Sequence, residues 1–176
     1  GHADFAPRNT VEVGLLAYLM ERFGHVSYER VISGPGLKNV HDFLLSGGCV
    51  AERIKKRFEK EPPSVVITDE GERKGGDPAC VEALNLFVSI LGAEAGNLAL
   101  KSHAVGGVFI GGGIAPSITK TLRGEVFMEA FLDKGRFREF LSKVPVSVLL
   151  NPEAALLGGV LFAAAMLPGN PSPPTR

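Results

Sequence analysis

Two glycine-rich turns and one polar pair are the places where this sequence could do chemistry. In VFIGGGIAP (residues 108–116) an apolar run ends abruptly on Gly111, Gly112 and Gly113, then restarts at a proline. Glycines after a buried strand let the backbone approach a ligand with no side chain in the way. A helix N-terminus after the turn would add free N–H groups and the positive end of a dipole. The pattern is not G-x-G-x-x-G, and no Gly-Lys-Ser/Thr follows to make a P-loop. The same turn also serves as a plain strand-to-helix connection that binds nothing. SGPGL (residues 33–37) is a second small-residue turn before a helix, with Ser33 and Gly34 at its start. Two such turns in one α/β domain are more suggestive than either alone, because ligands sit where loops leave the strand ends. The polar pair is His2 and Glu29: a sugar hydroxyl needs donors and acceptors together, and an imidazole with a carboxylate supplies both. Taken singly they are a terminal histidine and a surface glutamate.

The other polar residues carry less. His25, His41 and His103 read as ordinary histidines, and no Ser/His/Asp set, carboxylate pair or metal-ligand cluster stands out from spacing. Cys49 and Cys80 have no C-x-x-C partner and read as buried, reduced thiols of a cytosolic protein.

The elements that must position these residues are read from periodicity and caps. NTVEVGLLAYLMERFG (9–24) predicts a helix capped by Asn9 or Thr10, stopped by Gly24, with Val13, Leu16, Leu19 and Met20 on its buried face. Residues 26–32 read as a short extended run, and 37–46 as a second helix closed by Gly47 and Gly48. Residues 49–64 read as a charged surface connection with room for a helical turn, and its RIKKRFEK stretch (53–60) as a solvated face. SVVITDEGERKGG (64–76) is ambiguous, since its β-branched run favours a strand while Ser64 followed by acids suits a helix. The clearest helix begins at Asp77 as cap and Pro78 in the first position, with Gly92 and Gly96 on one face for close approach by a neighbour. Strands at 105–110 and 146–150 alternate with helices, the last begun by Asn151 and Pro152, which predicts an α/β sheet with packed helices.

Composition bounds the function. The chain has 176 residues, 45% hydrophobic and 22% charged, the size and make-up of one globular domain. Lys+Arg and Asp+Glu both number 19, so no basic excess points to nucleic acid or a membrane surface. No apolar run suggests a membrane span or a signal peptide, and a soluble cytoplasmic protein is expected.

Taken in order, GHADFAP, GHVSYERVISGPGL, GNLAL, GGVFIGGGIAP and DKGRFREF resemble the C-terminal part of a bacterial-type glucokinase, over residues 1 to about 157. The resemblance implies a two-lobed kinase of the hexokinase and actin type. Residues 1–165 would form an incomplete RNase-H-like C-terminal lobe lacking its first strands, and 166–176 a Pro-rich tail. Gly1-His2 match the end of the family's Glu-Gly-Gly-His segment, which gives His2 a glucose-binding role, and Glu29 matches its second sugar-binding glutamate. Gly111, Gly112 and Gly113 match the adenosine motif, and Ser33 and Gly34 lie where the lobe flanks the nucleotide. Tyr28 and the 49–78 region depart most from the family pattern.

The same resemblance places the catalytic aspartate and the phosphate loop upstream of Gly1. It therefore assigns no catalytic residue and no metal ligand to this chain. ATP would be the phosphoryl donor, with Mg2+ held through the nucleotide, and the complete enzyme would be a homodimer. The isolated chain is expected to show no turnover and to expose a sheet edge and apolar surface. The competing reading is a non-catalytic sugar- or nucleotide-binding regulator on the same fold. Another sugar or acyl kinase is disfavoured by the pairing of His2 with Glu29.

Overall fold

The structure is a computed structural model and describes residues 2–46, 48–151 and 153–166. Helix α1 (Thr10–Phe23) starts where Asn9 accepts from the Glu12 backbone N–H. Glu12 is itself fully buried, accepts from the Arg8 backbone N–H at 2.8 Å and pairs with the Arg8 guanidinium. That guanidinium reaches on to Ser89 Oγ at 2.8 Å, so one reciprocal cap both starts the helix and docks it. The buried stripe differs from expectation. Leu15 and Leu19 point inward with Glu12, Leu16 is half-buried, and Val13 and Met20 are exposed. Apolar residues run along two offset stripes of this helix, and packing against the rest of the fold selects one of them.

Residues 26–32 are not a strand. An isolated antiparallel bridge pairs Asp4 with Ser27, and a 3-10 turn comes next at Tyr28–Arg30. The turn lets the Tyr28 ring drop into the core against the edge of Phe5, with centroids 5.7 Å apart. Helix α2 (Gly34–Leu44) then begins earlier than its apolar pattern predicts, because Ser33 caps it by accepting from Gly36 N–H at 3.0 Å. The charged connection contains a true helix, α3 (Glu52–Phe58), anchored by buried Ile54. The ambiguous segment is helix α4 (Pro63–Glu72): Val66 and Ile67 are fully buried, and tertiary packing overrides the β-branched preference.

Helix α5 (Pro78–Ser102) is the axis of the fold and packs against α2, α4 and α7 (Glu125–Leu132). Asp77 caps it by accepting from Ala79 and Cys80 N–H groups, as its sequence predicts. By length and composition it could cross a bilayer, contrary to the expectation that no segment would pass that test, but its buried face makes it a core helix. A Cβ at Gly92 would stand 2.3 Å from the Phe127 carbonyl oxygen, and one at Gly96 2.6 Å from that of Phe131. The expected close approach is therefore real, and its partner is the backbone of α7.

Strands β1 (Val108–Ile110) and β2 (Val146–Val148) are parallel, with Val108 opposite Val146 and Ile110 opposite Val148. Between them run α6 (Thr119–Leu122), α7 and α8 (Arg138–Leu141), and α9 (Ala154–Ala165) comes after β2. The α/β class is as expected, although both strands are shorter than the apolar runs suggested and helices dominate. Cys80 is buried as anticipated, but Cys49 is exposed, because it lies in the loop before α3 and not on a packed face. Gly1, Gly47, Pro152 and all of the Pro-rich tail after Met166 lie outside the described residues.

Candidate functional site

The N-terminal strand of backbone and the turn after α1 are laced together antiparallel. Phe5 N–H donates to the Val26 carbonyl at 3.0 Å, Asp4 bridges Ser27, and Tyr28 N–H donates to the Ala3 carbonyl at 2.9 Å. The pairing ends at Tyr28, where the 3-10 turn that carries Glu29 begins, and His2 directly precedes the paired Ala3. His2 and Glu29 are both exposed. The structure thus brings the segments that adjoin His2 and Glu29 side by side, a backbone pairing that sequence spacing alone does not reveal.

Beneath this edge lies a polar floor that the motifs did not disclose. Burial, and then the nearby Glu94 carboxylate, push the Tyr28 phenol above its ordinary pKa. Glu94 is largely buried and accepts from Asn97 Nδ2 at 2.9 Å. The available signal was an acid inside the otherwise apolar ILGAEAGNLAL run, since a charge on a core helix needs a partner. His25 pairs with Asp4 at 2.7 Å on the exposed side of the same ladder.

Gly111, Gly112 and Gly113 line a cavity of about 230 Å³, walled also by Ile32, Phe87 and Leu91. Gly112 has φ +106, a conformation that only glycine adopts without strain, and nothing lies within 4 Å of where its Cβ would be. The open space over the turn is what a ligand approaching backbone requires. The chain beyond Gly113 departs from expectation: it forms a 3-10 turn (Ala115–Ile118) and then the four-residue α6, too short to build a strong dipole. Pro116 lies in that 3-10 turn.

The second turn is only partly joined to this cavity. Ile32 lines it, whereas Gly34 faces a separate groove with Pro35, Lys38, Pro63 and Ser64. The Ser33 hydroxyl is engaged locally, donating to the Glu29 carbonyl at 2.6 Å while accepting from Gly36 N–H. It thereby ties the start of α2 to the turn that carries Glu29.

A parallel α/β layer with an open glycine turn at the end of a strand is the architecture of a small-molecule-binding protein. The Glucokinase family model matches residues 1–166, and the chain belongs to the glucokinase family. It is 39% identical over 182 positions to the glucokinase of Nostoc punctiforme, an alignment covering 94% of this chain and 53% of that protein. The Tolumonas auensis glucokinase is 41% identical over 159 positions, covering 90% and 47% respectively. Among solved structures, a glucokinase from an Antarctic psychrotroph superposes with TM-score 0.72 at 30% identity, over 91% of this chain and 47% of that one. A Balamuthia mandrillaris glucokinase solved in complex with glucose gives TM-score 0.77 at 20% identity, over 93% and 46%, which supports the fold alone. The chain spans about half the length of the curated relatives it matches.

Proposed function

We propose that this chain is the C-terminal half of an ATP-dependent glucokinase and supplies walls for the sugar and for adenosine. The observation that supports the reading is the antiparallel pairing of residues 3–5 with residues 26–28, the segments that adjoin His2 and Glu29. A carboxylate accepts from two adjacent hydroxyls of a pyranose, and the imidazole both donates and accepts, so together they fix the ring's orientation. Tyr28 and Glu94 stiffen the edge from below.

The open backbone at Gly111, Gly112 and Gly113, with apolar Ile32, Phe87 and Leu91, suits a flat purine with its ribose. Ser33 and Gly34 act as the nearby framework, the hydroxyl of Ser33 holding Glu29's turn in place. Mg2+ would arrive with the phosphates of ATP and neutralise their charge, with no ligand drawn from these walls.

In the reaction, the hexose 6-oxygen attacks the γ-phosphorus in line and its proton passes to a carboxylate base. The bond from phosphorus to the bridging oxygen breaks, and ADP leaves. On this reading the base and the phosphate loop belong to the other half of the enzyme, and the residues here position the reactants, which is where much of the rate enhancement arises. The complete protein would work in the cytoplasm as a homodimer.

The test is coupled-assay kinetics on the complete protein. Glu29→Gln should raise the KM for glucose about 10–100-fold with the KM for ATP unchanged, the loss of one charged hydrogen-bonding group. Glucose binding without phosphorylation would instead indicate a regulator, and an unchanged glucose KM would remove Glu29 from the sugar site.

A further inference from the structure

We infer that His41, Asp77 and Cys80 form a binding site for a zinc-type divalent metal between α2 and the first turn of α5. His41 is fully buried, and neither of its ring nitrogens has a hydrogen-bond partner. Buried polar atoms are nearly always satisfied, so an orphan imidazole in a packed core points to something that completes it. Its Nδ1 lies 3.7 Å from Asp42 Oδ1, beyond hydrogen-bond reach. One ligand atom each from His41, Asp77 and Cys80 lies within 4.8 Å of the others, and all three residues are buried.

The chemistry of this donor set is coherent. Imidazole nitrogen, thiolate sulfur and carboxylate oxygen are all zinc ligands, and a mixed set with sulfur disfavours magnesium and calcium. Tetrahedral bonds of about 2.0–2.3 Å place ligand atoms about 3.3–3.7 Å apart, so side-chain rotations of about 1 Å would close the set. A neutral imidazole with two anionic ligands balances a doubly charged ion, which leaves a buried complex with no net charge.

The surrounding charges are already compensated. Arg53 Nη2 is 3.7 Å from Asp77 Oδ2, but its other nitrogen pairs with Glu70 at 2.8 Å. Asp42 is paired with Lys38 at 2.5 Å. Asp77 Oδ1 accepts from the Ala79 and Cys80 N–H groups, which orients the carboxylate as outer-shell hydrogen bonds do for metal ligands. The Phe58 edge packs on the His41 ring at 5.6 Å and shields the cluster from one side. A metal here would clamp the helix that Ser33 caps to the start of the fold's central helix.

The experiment uses the whole chain carrying Cys49→Ser, freed of metal by chelation and titrated with Co2+. The sequence contains two cysteines, so any sulfur-to-cobalt charge-transfer band can then come only from Cys80. Expected are one equivalent of Co2+, tetrahedral visible bands with the thiolate band, and displacement by Zn2+. Cys80→Ser should abolish the thiolate band, and His41→Gln should weaken binding about tenfold or more. A folded Cys49→Ser chain that gives no thiolate band overturns the proposal, as does a band that survives Cys80→Ser. Should the His41 variant fail to fold, reactivity of Cys80 toward a thiol probe decides. Protection by one equivalent of Zn2+ supports the site, and unchanged reactivity overturns it.

Discussion

Two regions of the molecule share an apolar composition and use it in opposite ways. Around α5, Leu84, Phe87, Val88 and Phe131 are almost wholly removed from solvent, and the acids there, Glu12 and Glu70, are buried but fully partnered. On α9, Leu156, Leu161 and Phe162 are 69%, 62% and 59% exposed, and no described residue of that helix is buried. A groove of about 350 Å³ also opens between the sheet and α6–α7, lined by Ile110, Leu122, Phe127 and Val148. A helix that is apolar all round belongs in a core. The helical body satisfies its own surfaces, whereas the C-terminal stretch does not, so hydropathy alone does not say which apolar helix carries the fold.

That contrast can be broken most forcefully at its centre. Phe131→Ala leaves a hole where a fully buried ring was and should cost about 3–5 kcal/mol, read from chemical denaturation. Gly92→Ala drives a methyl into the Phe127 carbonyl and should cost about 1–3 kcal/mol or somewhat more by the same measurement.

A third probe concerns Glu70, which accepts from Arg53, Arg73 and the Asp77 N–H. Burial alone would raise its pKa, but these partners outweigh that and hold it at about 2. Its pKa is depressed in the folded state, so the carboxylate stabilises the fold above its ordinary range near 4.5, and that contribution is lost as pH falls toward about 2. Glu70→Gln should therefore flatten the acid limb of the stability profile between about pH 5 and pH 2. With arginine partners about half exposed, the cost at neutral pH is on the order of 1–2 kcal/mol. At the other pole, replacing Leu157, Leu161 and Phe162 of α9 by serine should shift the stability of the helical body by less than about 0.5 kcal/mol. A large loss there would show that the two regions are one cooperative unit.

What could be read in the sequence was what local chemistry dictates. Asn9 and Asp77 announced their helices because a side-chain oxygen caps the next few N–H groups, and Gly111–Gly113 announced a turn because nothing else bends so openly. The strand-or-helix identity of residues 64–72 was not legible, since Val65, Val66, Ile67 and Thr68 favour one state intrinsically and burial against α5 enforces the other. The inward stripe of α1 was hidden for the same reason. His2 and Glu29 were legible only as residue types matching a family pattern; the pairing of the segments that adjoin them joins parts of the chain distant in sequence. The Tyr28–Glu94 floor and the meeting of His41 with Asp77 and Cys80 likewise depend on which helices pack, which no spacing rule encodes.

The contact between α5 and α7 has an implication for how this sequence can drift. At most core positions a larger side chain is accommodated by trimming a neighbour, so pairs of changes can travel together through a lineage. At Gly92 and Gly96 the obstacle is main-chain oxygen, which every amino acid carries. No second substitution can make room there, and glycine should persist at both positions while the phenylalanines opposite exchange freely for other bulky apolar residues.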